Sequence, residues 1–250
     1  MTGAIEPAEI PSLLLALTGV VPLAVLVRRH RAGRPPLLAG EPPFRKVDPE
    51  IPLLVAGTLF LLYAAGALQA ALGAFGPAGA AAAILVLAVA GVAAAILARR
   101  IVLRPRGTAI GRIGMGLLVF WAVLPVVFLT FLACRKLGLP EQAQVDVLRK
   151  RGEGWIPLAL SAVLVAPVVE EACFRGLFYP ALRQRFPVRW AISVTSIAFA
   201  AVHPPTVWLP LAIFAAALAW LVETTGSVLP AIAAHMALNG LTVGTVLLGG

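Results

Sequence analysis

Three short clusters concentrate side chains that apolar sequence seldom carries. The first is Val168-Val169-Glu170-Glu171-Ala172-Cys173-Phe174-Arg175, where two adjacent carboxylates and a guanidinium interrupt an otherwise apolar stretch. The second is Phe199-Ala200-Ala201-Val202-His203, and the third His235-Met236-Ala237-Leu238-Asn239. The chain has three histidines, two of them in these clusters, and Asn239 is its sole asparagine. An ionisable group inside a membrane-length apolar segment costs about 2.5–3.5 kcal/mol on insertion scales, so such groups are functional candidates by default.

Spacing separates the two glutamates. Glu171 and Arg175 are four apart, so on a helix they share a face and can pair. Glu170 points about a quarter-turn away and lies outside that pair. A paired carboxylate keeps its charge, whereas burial without a cation raises a carboxylate's proton affinity toward the range of a general base. Taken alone, this segment also reads as one buried ion network that fastens helices. His235 and Asn239, again four apart, share a helical face.

A carboxylate and two imidazoles around a water-accessible cavity suit hydrolysis. Glu170 can take a proton from water while His203 and His235 position that water or bind a metal. Two histidines with a carboxylate form a known catalytic zinc set whose fourth position stays open for water. Zinc held by His203, His235 and Glu170 and a metal-free route are equally open at this point. Asn239, with or without His235, can donate to the oxyanion of a tetrahedral intermediate, an effect worth about 3–4 kcal/mol. The motifs HExxH, GxSxG and GxGxxG and the phosphate-binding P-loop do not occur. Cys173 faces a different side from Glu170 and reads as a packing residue.

The elements that must position these groups are membrane helices. Hydrophobic residues make up 60% of the chain and charged ones 12%, about half the charged share of an ordinary soluble domain. Too few charges remain to cover a water-facing surface. Apolar runs near 10–27, 51–73, 78–98, 113–133, 155–183, 190–203, 206–222 and 227–248 give about eight spans, most of them long enough for a hydrocarbon core of about 30 Å. The expected fold is therefore all-α, a polytopic transmembrane bundle of about eight helices. N-terminal helices and basic loops occupy 1–154 and the chemistry-bearing core 155–250, within one membrane domain. The fifth span should be kinked or tilted at Pro167 and Pro180, and the sixth should stop at Pro204-Pro205. Counting along the helices puts Glu170 and His203 roughly 20 Å from the inner boundary and His235 roughly 12 Å from Ser227, so three helices can deliver them to one layer.

The formal charge of +9 invites a nucleic-acid reading, but the basic residues lie in short clusters between apolar spans, where they set orientation. No nucleic-acid partner is expected; the partners are membrane lipids and a substrate. Arginine-rich loops at 28–46, 99–112 and 183–189 place both termini outside. The loop at 134–154 carries Arg135, Lys136, Arg149, Lys150 and Arg151 on the other side, and its 140–151 stretch reads as an interfacial helix. The first ten residues hold Glu6 and Glu9 and no basic cluster, which argues for a retained first span. Cys134 and Cys173 are too few and too distant for a disulfide framework.

In their order and residue types, the clusters resemble the CPBP family of intramembrane proteases, which takes in CAAX prenyl endopeptidases and Abi-type, bacteriocin-related members. That family is marked by EExxxR, FxxxH and HxxxN, read here as Glu170-Glu171-x-x-x-Arg175, Phe199-x-x-x-His203 and His235-x-x-x-Asn239. The resemblance covers roughly 155–248. It implies an intramembrane endopeptidase in which Glu170 and His203 activate water and His235 with Asn239 stabilise the oxyanion. Glu171 and Arg175 brace the first motif, and Phe199 supports the second. The substrate it implies is a membrane-associated or lipid-modified peptide. The family is described both as zinc-dependent and as using a glutamate-activated water without metal. Two other readings compete: a catalytically silent immunity or binding protein on the same scaffold, and a transporter with Glu170 and the histidines as a proton relay.

Overall fold

The computed structural model describes residues 15–31, 45, 46, 48, 50, 57, 85, 88, 89, 91–93, 95, 96, 99, 102–137, 148–150 and 155–248. The expected span at 51–73 and the first ten residues lie outside this set, apart from Gly57. Of the expected 140–151 helix it includes only 148–150, of which Leu148 and Arg149 are helical. Within the expected span 78–98, all eight described residues are helical.

The described chain is helical, with no strand beyond an isolated bridge at Leu103. Helix α1, Val20–Arg31, follows a short helical stretch that turns at Gly19. Helix α2, Ala109–Arg135, starts where the Thr108 hydroxyl accepts the Gly111 N–H at 3.1 Å, a capping bond that satisfies an otherwise orphaned donor. The indole of Trp121 donates to the Thr18 hydroxyl at 2.9 Å, and a Cβ at Gly19 would collide with the Trp121 carbonyl. These contacts press the N-terminal helix onto α2.

Helix α3 spans Trp155–Arg185 and is not uniform. Two wide, π-type segments, Ser161–Val165 and Ala172–Phe178, alternate with α-helical pieces Trp155–Leu160, Ala166–Glu171 and Tyr179–Arg185. Each wide segment ends just before a proline, Pro167 or Pro180. A proline removes one helical N–H and crowds the carbonyl behind it; widening the preceding turn relieves that crowding. The irregularity expected at these prolines is thus spread over a turn on their N-terminal side.

Helix α4, Val188–Ala201, is 14 residues long, roughly 21 Å, and falls short of a hydrocarbon core. It ends two residues before His203, so the expected helical position of that residue is corrected: His203 sits in the turn that leads into Pro204-Pro205. A single 3₁₀ turn, Pro205–Val207, opens helix α5, Trp208–Thr225. Gly226 closes α5 with φ 62°, a left-handed conformation that glycine adopts without a Cβ penalty. Ser227 then accepts the Leu229 N–H at 3.2 Å as helix α6, Leu229–Leu248, begins.

Helices α2, α5 and α6 share one core that includes Leu124, Phe128, Phe214, Leu218, Leu221, Ala231 and Ala234. Gly116 of α2 lies so close to Pro230 of α6 that a Cβ there would overlap the Pro230 carbonyl. Ile110, Leu117 and Leu129 of α2, Ile156, Leu160 and Leu164 of α3, and Trp190, Val194 and Ile197 of α4 point outward. An apolar exterior of that extent suits acyl chains, not water. Among the described residues four helices, α2, α3, the Pro205–Thr225 stretch and α6, are long and apolar enough to cross a membrane. The protein is an integral membrane protein with an all-α bundle.

Candidate active site

The site forms where α3, the end of α4, α5 and α6 meet. Glu171 and Arg175 are fully buried and pair at 2.9 Å between Arg175 NH1 and Glu171 Oε1. A buried charge pair is tolerable only when its remaining donors and acceptors find partners. Here the guanidinium stacks on the Phe199 ring, with Cζ 4.1 Å from the centroid, and its Nη2 lies 3.5 Å from the Ala215 carbonyl, while Arg175 Nε and Glu171 Oε2 have no hydrogen-bond partner. The same Glu171 Oε1 takes a second partner, His235 Nδ1, at 2.8 Å.

Since Arg175 holds Glu171 as a carboxylate, His235 Nδ1 carries the hydrogen and donates it. The far nitrogen, Nε2, is then an acceptor in the neutral ring. It lies 3.9 Å from Glu170 Oε2. His203 arrives by a different route to the same arrangement. Its Nδ1 is 2.8 Å from the Phe199 carbonyl, which can only accept, so this nitrogen also bears the hydrogen. His203 Nε2 faces Glu170 Oε2 at 4.0 Å. Both Nε2 acceptors therefore lie at nearly equal distance from the same carboxylate oxygen. Separations of 3.9 and 4.0 Å exceed a hydrogen bond and suit one bridging water.

Phe199 is the hub of the site. It is fully buried and its ring lies 4.9 Å from His203, 5.7 Å from His235 and 5.1 Å from Phe174, centroid to centroid. It thus supports Arg175, His203 and His235 together. Cys173 packs in the same apolar cluster with Val169, Phe174 and Ala215, as expected for a packing residue. Asn239 lies one turn beyond His235, and its Nδ2 donates to the Ala162 carbonyl at 2.8 Å.

Two contributors were not legible from residue type. Trp208 donates its indole N–H to the His203 carbonyl at 2.6 Å. The sequence signal is the tight spacing His203-Pro204-Pro205-x-x-Trp208, which turns the chain back on itself. Phe214 of α5 lies 6.0 Å from His235, edge to face, and nothing distinguishes it in sequence from other core phenylalanines. Glu223 accepts from Tyr179 at 2.8 Å and Arg183 at 3.1 Å and ties α5 to α3.

The donor set suits zinc in kind: two imidazole nitrogens and a carboxylate, with the second nitrogen of each ring already held by an acceptor. The spacing is wider than the roughly 3.4 Å between neighbouring ligands of a tetrahedral zinc ion. Among the described residues no group of three such side chains stands at metal-binding separation.

Residues 152–241 match the family model described as Rce1-like, type II CAAX prenyl endopeptidase Rce1-like. No curated protein and no solved structure matches the chain. The matched stretch contains all three clusters in order.

Proposed function

We propose that this chain, whose segment 152–241 belongs to the Rce1-like branch of the CPBP/CAAX protease family, is an intramembrane endopeptidase that hydrolyses membrane-associated or lipid-modified peptides with a water held by Glu170, His203 and His235. The observation that carries the reading is the approach of both Nε2 atoms to one oxygen of Glu170, at 3.9 and 4.0 Å. A water there meets three acceptors and has two hydrogens, so it is polarised toward hydroxide with a lone pair left for attack.

In this scheme the water oxygen bonds to the scissile carbonyl carbon while Glu170 takes the water proton. The carbonyl becomes an oxyanion. The neutral His235 ring has no hydrogen on Nε2 to give that oxyanion, because its one hydrogen is donated to Glu171; its part is to accept from the water, with Glu171 holding the ring in place. Glu170 then gives its proton to the leaving nitrogen as the C–N bond breaks, releasing an acid and an amine. If zinc is resident, His203, His235 and Glu170 are the residues to hold it, and it would supply Lewis acidity and a lower pKa for bound water. By the loop charges, both termini face outward across about eight spans.

The test compares membrane peptides from cells carrying the wild-type chain and Glu170→Gln. Peptides that accumulate only in the variant support the proposal and identify the substrate. Identical peptide pools, with both proteins present at equal level, favour a silent immunity or binding protein on this scaffold. Metal analysis of the purified chain, with turnover measured after chelation, separates the zinc and metal-free routes.

A further inference from the structure

Asn239 occupies a place that backbone chemistry explains. In the first wide segment of α3, the Ala166 N–H reaches back five residues to the Ser161 carbonyl. In an α-helix that N–H would have served Ala162. The next residue able to serve Ala162 in the wide register is Pro167, which has no N–H. With the Ala166 N–H taken by Ser161 and no N–H on Pro167, the Ala162 carbonyl has neither of its helical donors. Ala162 is half-buried, and a carbonyl without a partner is costly in a bilayer, where water does not compensate. Asn239 Nδ2 stands 2.8 Å from that oxygen.

We propose that Asn239 is a positioning residue: its carboxamide supplies the donor that Pro167 withholds, closing the wide turn at Ala162 and fixing the segment that carries Glu170. Pro167 and Glu170 lie in the same piece, Ala166–Glu171, so the closure of that turn sets the rotation and height of the carboxylate. His235 and Asn239 are one turn apart on α6. The helix that presents an imidazole to Glu170 therefore also holds the turn from which Glu170 projects.

A double-mutant cycle on the full chain in detergent tests this. Pro167→Ala restores an N–H that can serve Ala162. Asn239→Ala should lower the unfolding midpoint in the wild-type background, and at least half of that loss should vanish in the Pro167→Ala background. Strictly additive losses would overturn the proposal. If Asn239→Ala alone does not fold, recovery of folded protein in the double variant supports it, and no recovery overturns it. This arm needs no substrate, so it stands or falls apart from the peptidase reading. The second arm rests on that reading. Asn239→Ala should lower kcat on the order of tenfold, as for one lost buried hydrogen bond, with KM unchanged, and Pro167→Ala should restore most of it. A loss of kcat that Pro167→Ala does not relieve would place the amide on the oxyanion instead and overturn the assignment.

Discussion

The two imidazoles reach one carboxylate oxygen from opposite kinds of support. His235 rides a continuous helix and is held by a side chain, the Glu171 carboxylate that Arg175 neutralises; only 3% of its side chain is exposed. His203 sits past the end of α4 in a turn and is held by main chain, through the Phe199 carbonyl at its ring and the Ala200 carbonyl at its N–H; 23% of its side chain is exposed. One histidine is fixed by charge in the core, the other by backbone geometry at a partly exposed turn. The difference divides the labour. The buried ring is an acceptor whose orientation Glu171 sets, and the more exposed ring an acceptor whose orientation the main chain sets.

Removing the point on which both converge should have the largest effect. Glu170→Ala should lower turnover by about 10²–10⁴-fold, the range for a lost general base, with an unfolding midpoint close to wild type; retained activity in a folded variant would exclude Glu170 as the base. Glu171→Ala attacks only the charged side. It leaves Arg175 buried without its carboxylate, which costs about 3–5 kcal/mol, so thermal unfolding in detergent should show a large drop together with loss of activity. A normal midpoint would remove the brace. His203→Ala attacks only the backbone-held side and should abolish most turnover while leaving stability nearly intact, since its ring is partly open; an equal loss of stability in both variants would erase the contrast. Trp208→Phe is the smallest intervention. It removes one N–H from the His203 carbonyl and should lower kcat several-fold, with a stability change of about 1 kcal/mol and no effect on the Glu171 pair.

The polar groups of the site were legible because their cost in apolar sequence makes them conspicuous: Glu170, Glu171, Arg175, His203 and His235 meet as their spacing and depth suggested. Phe199 was legible as part of a spacing, although its role as a shared wall for three side chains emerges only from the fold. The four long spans in the second half and at 113–133 followed from hydropathy. What did not follow was hydrogen-bond register. Two prolines in one span announce irregular backbone, but which carbonyl loses its donor depends on whether the preceding turn widens. Who then serves that carbonyl depends on a helix 77 residues away in sequence. For the same reason the end of α4 at Ala201 was placed two residues late: the diproline limits the helix, while the Trp208 bond to His203 fixes where the turn begins.

The near-collision at Gly116 and Pro230 carries a consequence for the part of the chain that the family model does not reach. Helix α2 lies outside 152–241, yet it is the abutment against which the start of α6 rests, one and a half turns before His235. A single methyl group at position 116 would act as a wedge, displacing the scaffold that presents the imidazole. An excised C-terminal segment would lose the same buttress. The reactive centre therefore borrows its tolerance from a hydrogen atom contributed by the amino-terminal half.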